Sequence, residues 1–85
     1  MVGRIVCSAA GRDRGRFMVI VGFCGDFPLV CDGKERRLKN PKRKNPKHLE
    51  FTDAFLPAER LNSDSSIRKN LRIYAEGTYL YQEEI

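Results

Sequence analysis

The residues best suited to chemistry in this chain are the basic ones. Gly11-Arg12-Asp13-Arg14-Gly15-Arg16 joins two apolar runs, residues 5–9 and 17–23, and sets three arginines at alternate positions around two glycines. Glycine supplies φ > 0 and close backbone approach at such corners, so the stretch predicts a tight loop carrying several positive charges. That combination suits an anion, most readily a phosphate backbone. A plain hairpin turn with solvated arginines would have the same spacing. A second concentration follows: residues 34–47 hold eight Lys or Arg against one acid, Glu35.

Other chemistries find little support. The three cysteines, Cys7, Cys24 and Cys31, lack paired CxxC spacing, and the lone His48 adds no ligand motif. They read as small apolar thiols, buried or half-buried, in a reducing compartment. There is no P-loop, no carboxylate pair at a recognisable spacing and no metal constellation. The expectation is a protein that is not an enzyme and uses no cofactor.

Charge sharpens the picture. The net charge is +5, but residues 1–47 carry twelve Lys or Arg against four Asp or Glu, a net +8, while residues 48–85 carry four against seven, a net −3. A polarised chain has a basic face aimed at a partner, and nucleic acid is the leading candidate. The basic part is not an amphipathic helix, and no apolar run is long enough to span a bilayer, so no membrane partner is expected. Met1 reads as a start without a secretory signal, which points to the cytoplasm.

The elements that must position these charges fit into a single domain of 85 residues. Residues 4–8 read as a first strand, with Ile5, Cys7 and Ala9 on one face and Val6 and Ser8 on the other. Residues 17–23, nearly continuous in Val, Ile and Phe, read as a central strand covered on both sides, with Gly22 marking a bulge or bend. After a Gly25-Asp26 turn, residues 27–32 form a third strand. Asp32-Gly33 is the strongest hairpin signal and predicts a polar fourth strand over residues 34–38. Residues 39–47, broken by Pro41 and Pro46, read as an extended basic loop. Residues 48–52 read as a fifth strand, with Leu49 and Phe51 facing one way. Ser63 to Ser66 offer caps to a helix whose apolar positions are Ile67, Leu71 and Tyr74, stopped by Gly77. Residues 79–81 read as a short extended tail. Phe17, Phe23, Phe27, Phe51 and Phe55 are assigned to the core.

The loop from Gly11 to Gly15, followed by Val19, Ile20 and Val21, resembles the KOW motif of ribosomal proteins and transcription elongation factors. It departs from the family where a further glycine is common and Met18 stands instead. Val30-Cys31-Asp32-Gly33, then Arg36-Arg37, then Lys47-His48-Leu49-Glu50-Phe51-Thr52 extend the likeness over residues 3–53 to the family of the fourteenth large-subunit protein of archaeal and eukaryotic ribosomes. Small bacterial KOW-domain RNA-binding proteins share this arrangement and length. The strand reading and the resemblance agree on a mainly β fold: a small five-stranded SH3-like barrel of the KOW type over residues 1–53. Outside the likeness, the residues alone predict a C-terminal α-helix in an appendage, residues 54–85, packed on the barrel. The resemblance implies binding to structured ribosomal RNA or the ribosome through Arg12, Arg14 and Arg16 in the loop and Arg36, Arg37, Lys39, Lys42, Arg43, Lys44 and Lys47 in the basic segment. Backbone and shape recognition is expected rather than base stacking. The alternative is a protein-interaction adaptor using the barrel and the acidic C-terminal helix.

Overall fold

The two long apolar runs become adjacent strands. The computed structural model describes residues 2–77, in which β1 (Arg4–Ser8), β2 (Phe17–Cys24), β3 (Phe27–Cys31), β4 (Lys42–Arg43) and β5 (Leu49–Phe55) precede helix α1 (Asp64–Ala75). All pairings are antiparallel, in the order β4-β3-β2-β1-β5. Among the described residues no ladder joins β4 to β5, so the five strands form one open sheet and hydrogen bonding does not close it into a barrel. β5 runs to Phe55, past residue 53. The predicted tail over residues 79–81 lies outside the described residues.

Alternation along the strands builds two apolar clusters, one on each face. Ile5, Val19 and Cys31 lie side by side across β1, β2 and β3 and meet Leu56, Ile67 and Leu71. Val6, Met18, Ile20, Val30 and Leu49 form the second cluster. This double coverage explains why β2 is continuously apolar. The bulge expected at Gly22 is present: Ile20 opposes Val30, but Gly22 opposes Leu29, a shift of register by one residue.

Helix α1 is set by its ends and one face. Ser63 caps it by accepting from Ser66 N at 3.1 Å, and Gly77 ends it at φ 81°. Ile67 and Leu71 are buried one turn apart, and Tyr74 sets its ring edge-on to Phe17 at 5.2 Å between centroids. Truncating Ile67, which is fully buried, to Ala is expected to cost about 2–5 kcal/mol.

Four local expectations fail. Residues 34–38 are not a strand. Asp32 Oδ1 accepts from the backbone N–H groups of Lys34, Glu35 and Arg36 at 2.9, 3.0 and 2.9 Å, and Leu38 N donates to Asp64 Oδ1 at 2.8 Å. These donors are captured by side chains and cannot pair with β3. The partner of β3 is instead Lys42-Arg43, inside the predicted loop, where Val30 opposes Lys42 and Leu29 opposes Arg43. The phenylalanines divide: Phe17 packs on the core and Phe27 is half-buried, but Phe23, Phe51 and Phe55 are exposed. Cys24 is exposed as well, while Cys31 is buried and Cys7 half-buried.

Candidate nucleic-acid interface

The glycine-cornered loop is a closed turn organised around its one acid. Gly11 and Gly15 take φ of 84° and 85°. Gly15 N donates to Ser8 O at 2.7 Å, Arg16 N to Asp13 O at 2.9 Å and Ser8 N to Arg16 O at 3.0 Å. The Asp13 carboxylate turns inward and accepts from Ser8 Oγ at 2.8 Å and from Lys44 Nζ at 3.2 Å. Lys42 Nζ stands 3.9 Å from its other oxygen. Burial alone would raise the Asp13 pKa; the Ser8 and Lys44 hydrogen bonds and the two lysine charges outweigh it and hold the carboxyl below its ordinary value. With Asp13 drawn inward, Arg12 and Arg14 remain exposed on either side of it.

A second aspartate organises the loop after β3. Besides collecting three backbone N–H groups, Asp32 faces Arg16, whose Nη1 is 3.4 Å from Oδ2. Here too burial pushes the carboxyl up, but the backbone donors and Arg16 bring it below its ordinary value. Gly33, at φ 79°, lies so close to α1 that a Cβ would collide with the carbonyl oxygen of Asp64. Arg68 Nη1 donates to Gly33 O at 3.0 Å. The basic loop is thereby bolted to the first turn of the helix.

Two ties bring the loops together. Lys44, 7% exposed, reaches across to Asp13 and to Ala10 O, and Arg16 reaches Asp32 and Glu35, the latter at 3.2 Å. Between the loops opens a cavity of about 210 Å³ walled by Arg12, Arg16, Arg36 and Lys42. The carboxylates of Asp13, Asp32 and Glu35 also line it, with Met18. Outside the notch, Arg14, Lys39 and Lys47 are exposed. Arg37 donates to Lys34 O at 3.2 Å, and Arg43 lays its guanidinium over the Phe27 ring at 5.2 Å. Of the ten basic residues singled out in the sequence, Lys44 is the one the structure buries, and its charge is directed at Asp13.

Sequence reasoning missed Ser8, Asp13 and Glu35 as organisers of this face. An acid between two arginines in a glycine-cornered loop was a usable signal for Asp13. It also missed Arg4, whose guanidinium stands over both Phe51 and Phe55 at 5.3 and 5.6 Å and whose Nε donates to Thr52 O at 2.7 Å. Among the described residues neither the thiols nor the carboxylates assemble a reactive centre. Burial, with the Asp64 and Asp32 charges, pushes the Cys31 thiol up to about 11. Among the described residues no group of His, Cys, Asp and Glu is placed to hold a metal ion. No helix among them is long and apolar enough to cross a membrane.

No family model matches the chain. Curated relatives do. Large ribosomal subunit protein eL14 of Desulfurococcus amylolyticus is 38% identical over 69 residues, covering 80% of this chain and 72% of that protein. The proteins of the same name from Saccharolobus islandicus and Saccharolobus solfataricus are each 37% identical over 71 residues, covering 82% of this chain and 74% of theirs. With the basic loops, the sheet and likeness over most of both lengths in agreement, the chain belongs to the family of large ribosomal subunit protein eL14.

Proposed function

We propose that this protein is a non-catalytic RNA-binding component of the ribosomal large subunit, working in the cytoplasm, and that it holds structured ribosomal RNA through the two basic loops. Residues 1–53 act as a KOW unit of the SH3-like type, with residues 54–85 as a bracing appendage. The observation that carries the reading is the convergence of Arg12 and Arg16 from one loop with Arg36 and Lys42 from the other around a single notch, in a member of a ribosomal-protein family. Arginines supply bidentate phosphate geometry and lysines a point charge. Arg12, Arg14, Arg36, Arg37, Lys39, Lys42, Arg43 and Lys47 are assigned to RNA, Arg16 to RNA once released from Glu35, and Lys44 to bracing the loops.

The test is sedimentation of the tagged protein through a sucrose gradient of cell lysate. Co-migration with large subunits, lost at high salt and in an Arg12→Ala/Arg36→Ala variant, is the expected result, because phosphate contacts release counterions. Migration at the top of the gradient under both conditions overturns it. A second reading, a protein-interaction adaptor, draws on the exposed Phe51 and Phe55 beside Arg4; it predicts that binding depends on these rings and is insensitive to the loop arginines.

A further inference from the structure

We infer that the notch between the loops is a seat for one backbone phosphate of RNA, and that the Glu35 carboxylate occupies its place in the unbound protein. The inference rests on the RNA-binding reading and adds to it a defined subsite and an internal competitor. The three acids lining the notch are not equivalent. Asp13 is held by Ser8 and Lys44, and Asp32 by three backbone N–H groups; both are fixed parts of the walls. Glu35 is 67% exposed, and among the described residues its carboxylate is held by Arg16 alone. An exposed ion pair of this kind is weak and easily exchanged.

A phosphate has what the notch asks for. Its oxygens replace the Glu35 carboxylate on Arg16 with a shorter, bidentate, charge-assisted pairing. Arg12 and Arg36 wall the same cavity and make no ion pair with another described residue. The loops that carry the cations are fixed beforehand, because Lys44 ties the first loop to the end of β4 and Gly33 packs the second on α1, so little backbone ordering is needed on binding. Exposed Arg14, Lys34 and Arg37 adjoin the notch residues in the chain and continue the charge beyond a single anion, which favours a polyanion over a free ion.

The experiment is equilibrium binding of the full chain to purified large-subunit ribosomal RNA across a salt series. Glu35→Gln is expected to tighten binding about threefold, more than Asp26→Asn, which removes an exposed acid on the β2–β3 turn. The gain disappears when Glu35→Gln is combined with Arg16→Ala, because Glu35 acts through Arg16. Arg36→Ala weakens binding about tenfold and Lys47→Ala, outside the notch, about twofold. Inorganic phosphate at matched ionic strength competes with the RNA for the unmodified protein more than for Arg36→Ala. If the protein binds the RNA while Glu35→Gln equals Asp26→Asn and Arg36→Ala equals Lys47→Ala, the notch inference falls and RNA binding stands. If phosphate binds in the notch yet leaves RNA affinity unchanged, the notch serves a small anion and the inference is overturned. Failure of the unmodified protein to bind the RNA sinks the underlying reading itself.

Discussion

Two loops of this protein are built around an inward-turned aspartate, and they use it differently. Asp13 reaches across space: its nearer cation, Lys44, lies 31 residues away, just past β4. Asp32 reaches along its own chain to the N–H groups two, three and four residues ahead. The first aspartate chiefly joins two segments; the second chiefly shapes its own, with one longer contact to Arg16 of the other loop. Both need an ionised carboxylate, but the Asp13 tie also depends on a lysine side chain, whereas the Asp32 turn depends chiefly on the geometry of its own backbone. The basic face needs both, since the charges must be brought together and then kept from relaxing.

The contrast breaks most sharply at the glycines. Gly33 and Gly15 share a left-handed φ, 79° and 85°, but a Cβ at Gly33 would press on the helix backbone while one at Gly15 has nothing within 4 Å. Gly33→Ala is expected to destabilise by about 3 kcal/mol or more, the sum of strain and overpacking, and Gly15→Ala by about 1 kcal/mol. Urea unfolding distinguishes them, and equal effects would refute the docking of this loop on α1. Asp32→Ala, which leaves three N–H groups without their acceptor, should cost about 2–3 kcal/mol. Lys44→Met, which removes the nearer of the two cations on Asp13, should cost about 1–2 kcal/mol and loosen the loop pairing in hydrogen exchange.

Titration sharpens the same comparison. Both aspartates have folded-state pKa values lowered from the ordinary range, so the unfolded chain binds more protons in acid. Their contribution is complete above about pH 5 and is lost as pH falls through the ordinary carboxylate value towards the depressed folded ones. In Asp13→Asn the acid loss should be shallower by one group. Cys31 works in the opposite direction. Its thiol, raised to about 11, stays protonated where an unfolded thiol ionises, so its contribution holds below about pH 8.5 and is lost as pH rises through the folded value. The smallest predicted effect is kinetic: iodoacetamide should modify exposed Cys24 promptly and buried Cys31 only on unfolding, as read by mass spectrometry.

Much of this arrangement was legible in the sequence where the signal was local. The alternation of residues 4–8, the Val and Ile run of β2, the bulge at Gly22 and the Ser63 cap all depend on neighbours a few positions away. What was not legible depended on side chains acting at a distance or against the pattern. Asp32-Gly33 reads as a hairpin, yet the Asp32 carboxylate outcompetes the ladder for the next three N–H groups. Lys44 reads as one of a run of RNA-facing cations, yet an acid far upstream draws it inward. Phe51 alternates correctly with Leu49, but the second cluster ends at Leu49, and Phe51 is left at the surface beneath Arg4. Three charged residues and an asparagine between prolines give no strand pattern, so β4 was hidden within the basic segment.

The central claim, that the two basic loops are the RNA-facing side, is tested most directly by ultraviolet cross-linking of the protein bound to large subunits, followed by mapping of the peptides that carry nucleotide. Cross-linked peptides covering residues 10–16 and 34–47, with α1 unmodified, are the predicted result. Cross-links confined to α1 or to β5 around Phe51 and Phe55 would contradict it and place the RNA on another surface of the molecule.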